Sequence, residues 1–426
     1  MTARPSLLVL GGSSFYMLLL FQALHEAGLW PRLSRVTLFG RHRGRLAFLA
    51  AAARATAGDC EVNFSDDYAA CVAAEPDLVF NQIRFGGLQS RDLDERLALA
   101  CGLPADETLG IVGVSNAIRT LQGLQAFIEP LRRRARRPRW INFTNPCSIV
   151  TQHLVDTLGP QCIGICDYPV VFHRRIAACL QLPPERLRMG YFGLNHMAFV
   201  HTLQADGQEL LPRLLRERPR FPLAIEAQSE HELLMVPSWD FVFDPAGLHA
   251  RQQAQRNRAA LLLDIELQCQ QLLDAGEHDP ARFVQQLAQR DCAWYALAVA
   301  PLLAQCLGEP GEAVVNLAVG DVFGLGLPHC VVETNAVVDA DGAAACPVPE
   351  RLSGHALFDL CRRAKQAEAL LLHAVQAGEP AALREACALH PMIRAPQAAA
   401  RYFDRLAQQD AQIARCWRGE AAGAHA

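Results

Sequence analysis

The pattern of apolar positions in the first part of the chain predicts alternating strands and helices. Short apolar runs predict buried strands at residues 6–10, 35–39, 76–82, 140–144 and 162–166. Between these runs, apolar residues recur at helical spacing over residues 14–27, 44–56, 91–101, 115–132 and 149–158. Strands that alternate with helices are typical of an α/β fold with a parallel, doubly wound sheet of Rossmann type.

Beyond about residue 190 this alternation stops. The pattern predicts strands around a loop over residues 188–203 and further strands at 313–317 and 330–338. Helical spacing covers residues 251–275, 279–289, 293–307, 357–376 and 380–390. We therefore expect two domains, a Rossmann domain over residues 1–190 and a mixed α+β domain over residues 191–426.

Amino-acid composition limits the classes of protein to which this chain can belong. The 426 residues are 51% hydrophobic and 20% charged, with a formal net charge of −4. This balance is typical of a folded globular protein and excludes a general nucleic-acid binder. No apolar run reaches the roughly 18 residues of a membrane span, so we expect no membrane insertion. The 15 cysteines include no CxxC pair, which favours reduced thiols and a cytoplasmic location.

A candidate nucleotide site follows the first predicted strand. Gly11, Gly12, Ser13 and Ser14 lie where this strand meets the first predicted helix. Glycines let the backbone approach a pyrophosphate, and the helix N-terminus supplies N–H donors. This arrangement predicts dinucleotide binding. The third glycine of a complete GxGxxG motif is absent, and a plain tight turn is the alternative interpretation.

The end of the second predicted strand lacks the acid that commonly holds the ribose of NAD. The segment there is Gly40-Arg41-His42-Arg43. Arg41 and Arg43 could instead bind a 2′-phosphate, which would favour NADP. A basic surface turn without a ligand is the other interpretation.

A cysteine and a histidine form the candidate metal site. Cys166 is the last residue of the fifth predicted strand, and His196 lies in the loop of the segment 188–203. A thiolate and an imidazole suit a soft-to-borderline divalent ion such as Mn²⁺, Zn²⁺ or Fe²⁺. Taken alone, a single Cys and a single His far apart in sequence are more commonly core residues.

Several further motifs occur in a characteristic order. They are NQIRFGG at 81–87, RDLDE at 91–95, ETLG at 107–110, AIRT at 117–120, NFTNP at 142–146, CDYP at 166–169 and GLNH at 193–196. Together they resemble the NAD-dependent family 4 glycoside hydrolases, which include 6-phospho-α- and β-glucosidases, α-galactosidases and α-glucuronidases. The resemblance extends from residue 7 to about residue 395.

The resemblance implies a fold like lactate and malate dehydrogenases, with a second domain for substrate binding and oligomerisation. It implies hydrolysis of a phosphorylated or otherwise anionic glycoside, most like a 6-phospho-glucosidase, outside the two-carboxylate scheme. NAD⁺ takes a hydride from sugar C3, a base removes the C2 proton, the C1 substituent is eliminated, water adds, and the hydride returns. The resemblance also implies a homodimer or homotetramer.

The resemblance assigns roles to individual residues. Cys166 and His196 would hold Mn²⁺ or another divalent metal, and Asp167 would protonate the leaving group or stabilise a partner. Arg91 suits an anionic group, because a guanidinium binds phosphate or carboxylate with two-pronged geometry; an ion pair on the helix surface is the alternative. The other expected substrate contacts are Asn145, Asn195 and Arg258.

The sequence departs from the family pattern at the base. The family has a tyrosine in a Tyr-rich stretch, whereas the segment 236–244 here contains phenylalanines, among them Phe243. Phenylalanine cannot accept a proton, so Asp240 or Asp244, or a tyrosine from elsewhere, would have to serve. Further departures are Asp291-Cys292 in place of Gly-Gly, the missing ribose acid at Gly40, and an apolar, glycine-rich loop over residues 319–326.

These departures leave two alternatives to the glycosidase. A simple NAD(P)-dependent dehydrogenase of a sugar or hydroxy acid needs no C2 base and releases NADH. A catalytically weakened, ligand-sensing homologue binds dinucleotide or sugar without turnover and leaves Cys166 free of metal.

Overall fold

The computed structural model describes residues 4–217, 232–290 and 292–419. Its first strands form the parallel part of one sheet: β1 (Ser6–Leu10), β2 (Arg35–Phe39), β3 (Glu61–Ser65), β4 (Leu78–Asn81), β5 (Arg139–Asn142) and β6 (Ile163–Gly164). The strands lie in the order β3-β2-β1-β4-β5-β6, and all five pairings are parallel. This is the strand order of a dinucleotide-binding Rossmann sheet, whose order reverses between β1 and β4.

An antiparallel part continues the same sheet. Its strands are β7 (Arg188–Leu194), β8 (Met197–Ala205), β9 (Gln208–Glu209), β10 (Leu234–Met235), β11 (Gly311–Ala318), β12 (Val331–Val338) and β13 (Ala343–Ala345). β11 joins the two parts, because Asn316 lies opposite Gly164 of β6. The order then runs β11-β12-β7-β8-β10, all antiparallel. The edge of β6 is therefore covered by a strand that comes much later in the sequence.

Helices cover the sheet. Those of the first part are α1 (Met17–Glu26), α2 (Arg43–Arg54), α3 (Tyr68–Ala73), α4 (Gly87–Ala100), α5 (Gly110–Arg132), α6 (Cys147–Leu158) and α7 (Tyr168–Cys179). Those of the second part are α8 (Leu211–Arg216), α9 (Asp240–Phe243), α10 (Pro245–Gln253), α11 (Arg258–Asp274), α12 (Pro280–Leu287), α13 (Ala300–Cys306), α14 (Ala356–Ala377), α15 (Pro380–Leu389), α16 (Pro396–Leu406) and α17 (Ala411–Arg418). Among the described residues, no helix is long and apolar enough to cross a membrane.

The C-terminal helices pack on the first part of the chain. Leu371 of α14, Tyr402 of α16 and Trp417 of α17 share one buried apolar cluster with Ile118 of α5 and Ile149 of α6. A second cluster joins α1 and α2 to α11, α12 and α13, and a third surrounds β7, β8 and β12. The division at residue 190 stays a prediction; β7 begins two residues before it, at Arg188.

Most predicted elements of the first part coincide with observed ones. β1 and β2 match the predictions to the residue. β3 was not predicted, because it carries only one fully buried residue, Val62, in a mostly polar pentapeptide. The predicted long helix over 251–275 is wrong as a single element: it divides into α10 and α11, and Asn257 caps the second helix through the N–H of Ala259.

A buried histidine makes the stability of the fold pH-dependent. His153 of α6 is 2% exposed, and its ring nitrogens lie 2.9 Å from Nε2 of Gln125 and 3.5 Å from Nε2 of Gln376. Burial lowers its pKa to about 4. The unfolded ring titrates near 6.5, so between these values only the unfolded chain binds the proton. Stability is therefore lost as the pH falls from 6.5 towards 4.

We expect this histidine to contribute about 2–3 kcal/mol of the stability lost between pH 7 and pH 4.5. The variant His153→Gln retains an amide that can bond to both glutamines but has no titrating ring. Urea unfolding of both proteins at the two pH values measures the difference. An equal loss of stability in the variant would show that the neutral ring of His153 contributes nothing.

Candidate active site

The Gly11–Ser14 turn forms a tight cradle at the point where the strand order reverses. Gly11 has φ +84°, and a Cβ there would lie 3.1 Å from the backbone of Gln82, which follows β4. The N–H of Gly12 donates to the carbonyl of Phe39 over 2.7 Å, and a Cβ on Gly12 would lie 2.8 Å from Cβ of Leu38. Both glycines are therefore required for the close approach of β1, β2 and β4. Ligands of doubly wound sheets bind at this position.

A tyrosine from the second part of the chain lines one side of the cradle. The hydroxyl of Tyr295, at the start of a π-helical turn that leads into α13, donates to Oε1 of Gln82 over 2.6 Å. Ser13 and Ser14 lie in the turn between β1 and α1. Arg41, one residue beyond Gly40 at the end of β2, is exposed. The predicted cofactor-binding residues thus surround the carboxyl ends of β1 and β2.

Cys166 and His196 converge. Sγ of Cys166 lies 3.4 Å from Nε2 of His196. Cys166 follows β6, whereas His196 lies in the β7–β8 turn with φ +58°. Because β6, β11, β12 and β7 are consecutive in the sheet, residues thirty positions apart in sequence reach the same point. The structure therefore brings together the two predicted metal ligands.

This donor pair fits a divalent metal. An ion about 2.3 Å from sulfur and about 2.0–2.1 Å from an imidazole nitrogen, as in zinc sites, holds the two donors about 3.6 Å apart at a tetrahedral angle. The observed separation is 3.4 Å. Among the described residues there is no group of three or more His, Cys, Asp or Glu that could hold a metal. A metal ion held by this pair would have two ligands among the described residues, and its other coordination positions would be open to substrate oxygens or water.

Asp167 and Tyr168 surround the thiol. Oδ1 of Asp167 lies 3.8 Å from Sγ of Cys166, and the N–H of Tyr168 donates to that sulfur over 3.5 Å. The rings of Tyr168 and His196 have centroids 4.7 Å apart. Burial, together with the carboxylates of Asp167 and Glu333, raises the pKa of the Cys166 thiol. A bound cation would oppose this effect, because a coordinating thiol is deprotonated.

Glu333 of β12 is a buried residue that the sequence analysis did not single out for the site. Its Oε1 accepts from Nδ2 of Asn195 over 2.7 Å and from Nδ2 of Asn316 over 3.0 Å. Its Oε2 accepts from the hydroxyl of Tyr191 over 3.0 Å. The carboxylate fixes the side chain of Asn195 beside His196. Its position opposite Gly193 across the sheet depends on strand pairing, which no local sequence motif specifies.

A second group of polar residues surrounds Arg91 of α4. Arg91 is 6% exposed; its Nε lies 2.6 Å from Oε1 of Glu95, and its Nη1 lies 2.7 Å from Oε1 of Glu107. Arg84 also pairs with Glu107. Burial and the nearby guanidinium groups of Arg91 and Arg290 lower the pKa of Arg84 to about 9. Arg91 is thus an interior ion-pair residue rather than one on the helix surface.

Arg258 and Arg290 extend this group into a cluster of arginines. The positive charge of each contributes to lowering the pKa of Arg84. The guanidinium of Arg290 lies 4.7 Å from the ring centroid of Trp294, and Arg258 begins α11 with an exposed side chain. The carboxylates of Glu95 and Glu107 balance only part of the cluster's charge. Such a surplus of positive charge attracts anionic groups.

Asn145 lies in the turn between β5 and α6. It precedes a cis peptide bond to Pro146, and its carbonyl accepts from Nδ2 of Asn116 over 3.1 Å. The same Asn116 donates to the carbonyl of Glu107 over 2.9 Å. These bonds connect the turn that carries Asn145 to the arginine cluster. The predicted substrate residues Asn145 and Arg91 therefore belong to one region.

The two candidate bases share one arginine. Oδ2 of Asp240 lies 2.6 Å from Nη2 of Arg251, and Oδ2 of Asp244 lies 3.0 Å from Nη1. Asp244 also caps α10 through the N–H of Gly247. The bond from Arg251 and the N–H of Gly247 lower the pKa of Asp244.

The segment that carries these two carboxylates begins beside the Cys166–His196 pair, because Ser238 lies within hydrogen-bonding reach of Tyr168. Asp291, which stands with Cys292 where the family has Gly-Gly, lies outside the described residues.

The fold and the site define a Rossmann-type α/β protein with a nucleotide cradle and a convergent thiol–imidazole pair. The chain belongs to the family 4 glycosyl hydrolases: the sequence model of that family matches residues 9–182, and the model of its C-terminal domain matches residues 191–393. The family assignment made from the motifs is thereby confirmed.

Curated relatives match part of the chain. A 6-phospho-beta-glucosidase of Thermotoga maritima is 30% identical over 155 residues, which are 36% of this chain and 37% of that protein. A phospho-alpha-glucosidase of Clostridium acetobutylicum is 31% identical over 172 residues, which are 39% of this chain and 38% of that protein. The chain therefore matches less than two fifths of the length of either relative.

Solved structures match the whole fold. The 6-phospho-beta glucosidase from Thermotoga maritima, determined with manganese, NAD⁺ and glucose-6-phosphate, has a TM-score of 0.80 at 20% identity, covering 96% of this chain and 99% of that one. Lactate dehydrogenase from Eimeria maxima, with NADH and oxamate, has a TM-score of 0.55 at 12% identity, covering 89% and 97%. The predicted fold class is confirmed.

Proposed function

We propose that this protein hydrolyses a phosphorylated or otherwise anionic glycoside, most like a 6-phospho-glucosidase, by oxidation, elimination, addition and reduction. The observation that carries the proposal is the 3.4 Å approach of Cys166 Sγ to His196 Nε2. The sheet that brings this pair together also bears the dinucleotide cradle. NAD or NADP and a divalent metal, best Mn²⁺, are the proposed cofactors.

When both are bound, the dinucleotide would accept a hydride from sugar C3 and the metal would polarise the sugar oxygens, which acidifies the C2 proton. Cys166 and His196 would hold the ion, and Glu333 keeps Asn195 oriented beside them. We assign to the neighbouring carboxyl of Asp167 the protonation of the leaving group. The ring of Tyr168 packs on the ring of His196.

The arginine cluster would bind the anionic end of the substrate. Arg91 is already bound to Glu95 and Glu107, so its role is to hold the cluster as well as to touch the ligand. Arg258 is exposed and free to turn towards a phosphate. A guanidinium suits phosphate through paired, charge-assisted hydrogen bonds.

The proposal is tested by turnover of nitrophenyl 6-phosphoglycosides of both anomeric series, with Mn²⁺, a reductant and NAD⁺ or NADP⁺. We expect release of nitrophenol that requires metal and dinucleotide, without net accumulation of reduced cofactor. Turnover that persists after chelation of the metal would contradict the proposal.

A dehydrogenase is the second candidate, because Phe243 stands where the family has tyrosine, and it is 39% exposed. A reaction that stops after hydride transfer needs no C2 base. It would give absorbance at 340 nm in proportion to substrate and no nitrophenol, so the same assay separates the two candidates.

For the substrate anion, we expect Arg258→Ala to raise the KM for a 6-phosphoglycoside about tenfold or more, because one charge-assisted bond to phosphate is lost. The kcat should change little. Steady-state kinetics measure both values. Arg256→Ala is the matched control, since Arg256 lies two residues earlier and pairs with Asp264 on the surface. Equal effects of the two changes would exclude a specific role for Arg258.

For the C2 base, we expect Asp240→Asn to slow exchange of the C2 proton with deuterated water at least tenfold. Asp240 is the better candidate because its side chain is 24% exposed, against 51% for Asp244, and because the pKa of Asp244 is lowered. Mass spectrometry of recovered substrate measures the exchange. Asp244→Asn serves as the matched comparison. If neither variant slows exchange, neither carboxylate is the base.

We further propose that the chain works as a cytoplasmic homodimer or homotetramer. The absence of a CxxC pair and the fifteen free thiols support a reducing compartment. Light scattering on the purified protein, with dithiothreitol present, measures the oligomeric state.

A further inference from the structure

We propose that the nucleotide cradle prefers the 2′-phosphorylated dinucleotide, NADP(H), over NAD(H). This inference rests on the proposed function only for the binding of a nicotinamide dinucleotide at the β1 turn. It assigns Arg41 and Arg43, at the end of β2, to the phosphate on the adenosine ribose.

The position at which Rossmann proteins place a ribose-binding acid contains no carboxylate. β2 ends at Phe39, and Gly40 follows. A Cβ on Gly40 would lie 2.7 Å from Oγ and 2.9 Å from the backbone nitrogen of Ser13. The cradle thus packs directly on Gly40, and no side chain fits there. The ribose 2′-hydroxyl of NAD would find no carboxylate acceptor at this residue.

The two acids that follow the neighbouring strand β3 are already bound elsewhere. Asp67 caps α3 and accepts from the N–H groups of Ala69 and Ala70. Asp66 pairs with Arg43 over 3.0 Å. Both acids follow β3, one strand farther from the cradle than β2. Neither replaces the missing ribose acid.

Positive charge takes the place of that acid. Arg41 is exposed and makes no hydrogen bond or ion pair with the residues that the structure describes. The side chain of Arg43 is 72% exposed in its pair with Asp66, and such exposed pairs are weak. Arg43 can therefore exchange Asp66 for a phosphate at little cost, while Arg41 has no partner to give up.

Arg45, the third arginine after β2, already makes contacts within the protein. Nη1 of Arg45 lies 2.7 Å from Oε1 of Glu266, its Nε donates to Gln270 over 2.5 Å, and its guanidinium lies 4.8 Å from the ring centroid of Phe15. Only Arg41 and Arg43 thus remain available to a ligand. A 2′-phosphate with one or two guanidinium contacts favours NADP⁺ over NAD⁺ by about tenfold to hundredfold.

The test measures binding without turnover. Isothermal titration calorimetry of the full chain with NADP⁺ and NAD⁺ compares the dinucleotides, and titration with 2′,5′-ADP and 5′-AMP isolates the 2′-phosphate. We expect NADP⁺ and 2′,5′-ADP to bind at least about tenfold more tightly than their counterparts. The variant Arg41→Glu should lose this preference and keep its affinity for NAD⁺. Arg188→Glu, an equal charge reversal at an exposed residue of β7, should keep it.

The outcomes separate the two proposals. Tighter or equal binding of NAD⁺ overturns the NADP preference and leaves the proposed hydrolase intact. A preference that survives both Arg41→Glu and Arg43→Glu overturns the assignment to this segment. Failure of both dinucleotides to bind the wild-type protein overturns the inference and the dinucleotide-dependent reaction together.

Discussion

Replacement of Cys166 by alanine is expected to lower the rate of the proposed glycoside cleavage by about 10³-fold or more. A bound metal supplies several kcal/mol of transition-state stabilisation, and each 1.36 kcal/mol corresponds to a factor of ten in rate. In the proposed site Cys166 and His196 are the two protein ligands, so loss of the thiol would leave a single imidazole. Binding of Mn²⁺, followed by the electron paramagnetic resonance signal of the free ion, should fall in parallel with turnover.

Cys147→Ala is the matched control for this experiment. Cys147 is 1% exposed, and its Sγ lies 3.7 Å from the carbonyl of Ile165, next to Cys166. It bonds Asn142 and Thr151 instead of approaching His196. We expect this variant to keep its metal affinity. If Cys166→Ala binds Mn²⁺ as tightly as the wild type, the metal is held elsewhere and the proposed reaction loses its basis.

The second large effect concerns stability. Replacement of Arg119 by alanine is expected to lower the free energy of unfolding by about 3–5 kcal/mol, because removal of one partner leaves buried charges uncompensated. Arg119 is 2% exposed and donates to both carboxylate oxygens of Asp94 over 2.6 and 2.7 Å. Its Nε donates to Asp410 over 2.5 Å. The bond to Asp410, the residue that caps α17, attaches the last helix of the described chain to α5.

Urea unfolding of the variant measures this effect, and Arg96→Ala provides the control. Arg96 lies on α4 like Asp94 but is exposed and pairs with Asp92 at the surface; we expect a change of about 0.5 kcal/mol or less. Because Asp410 caps α17, the Arg119 variant should also expose that helix to proteolysis first. Equal urea midpoints for the two variants would mean that the buried network of Asp94, Arg119 and Asp410 contributes no net stability.

Much of the parallel part of the sheet could be predicted from local sequence. After their first residues, Ser6 and Arg35, the pentapeptides of β1 and β2 consist of apolar or β-branched residues, and most of these are buried. β3 did not follow, because at the edge of the sheet its side chains are mostly half-exposed and carry little periodic signal. The predicted helix at 251–275 is interrupted near its start, where polar residues precede the cap at Asn257.

Residue chemistry alone identified Cys166 and His196 as possible ligands, but it could not separate them from core residues. Their convergence depends on β11 and β12, which come more than a hundred residues later and join β7 to the parallel part of the sheet. Glu333, which orients Asn195, reaches the site through the same pairing. The ion pairs that make Arg91 an interior residue depend on the packing of Glu107 against α4.

The amino-acid sequence by itself determined the alternating parallel sheet, the glycine turn after its first strand, the missing acid at Gly40 and the thiol and imidazole that a metal would need. Those features are local, because hydrophobic spacing and backbone sterics act over a few residues. The tertiary structure decided which side chains meet: Cys166 with His196, Glu333 with Asn195, and Arg41 with no partner among the described residues while Arg45 has several. Such meetings depend on strand order and long-range packing, which no short segment encodes.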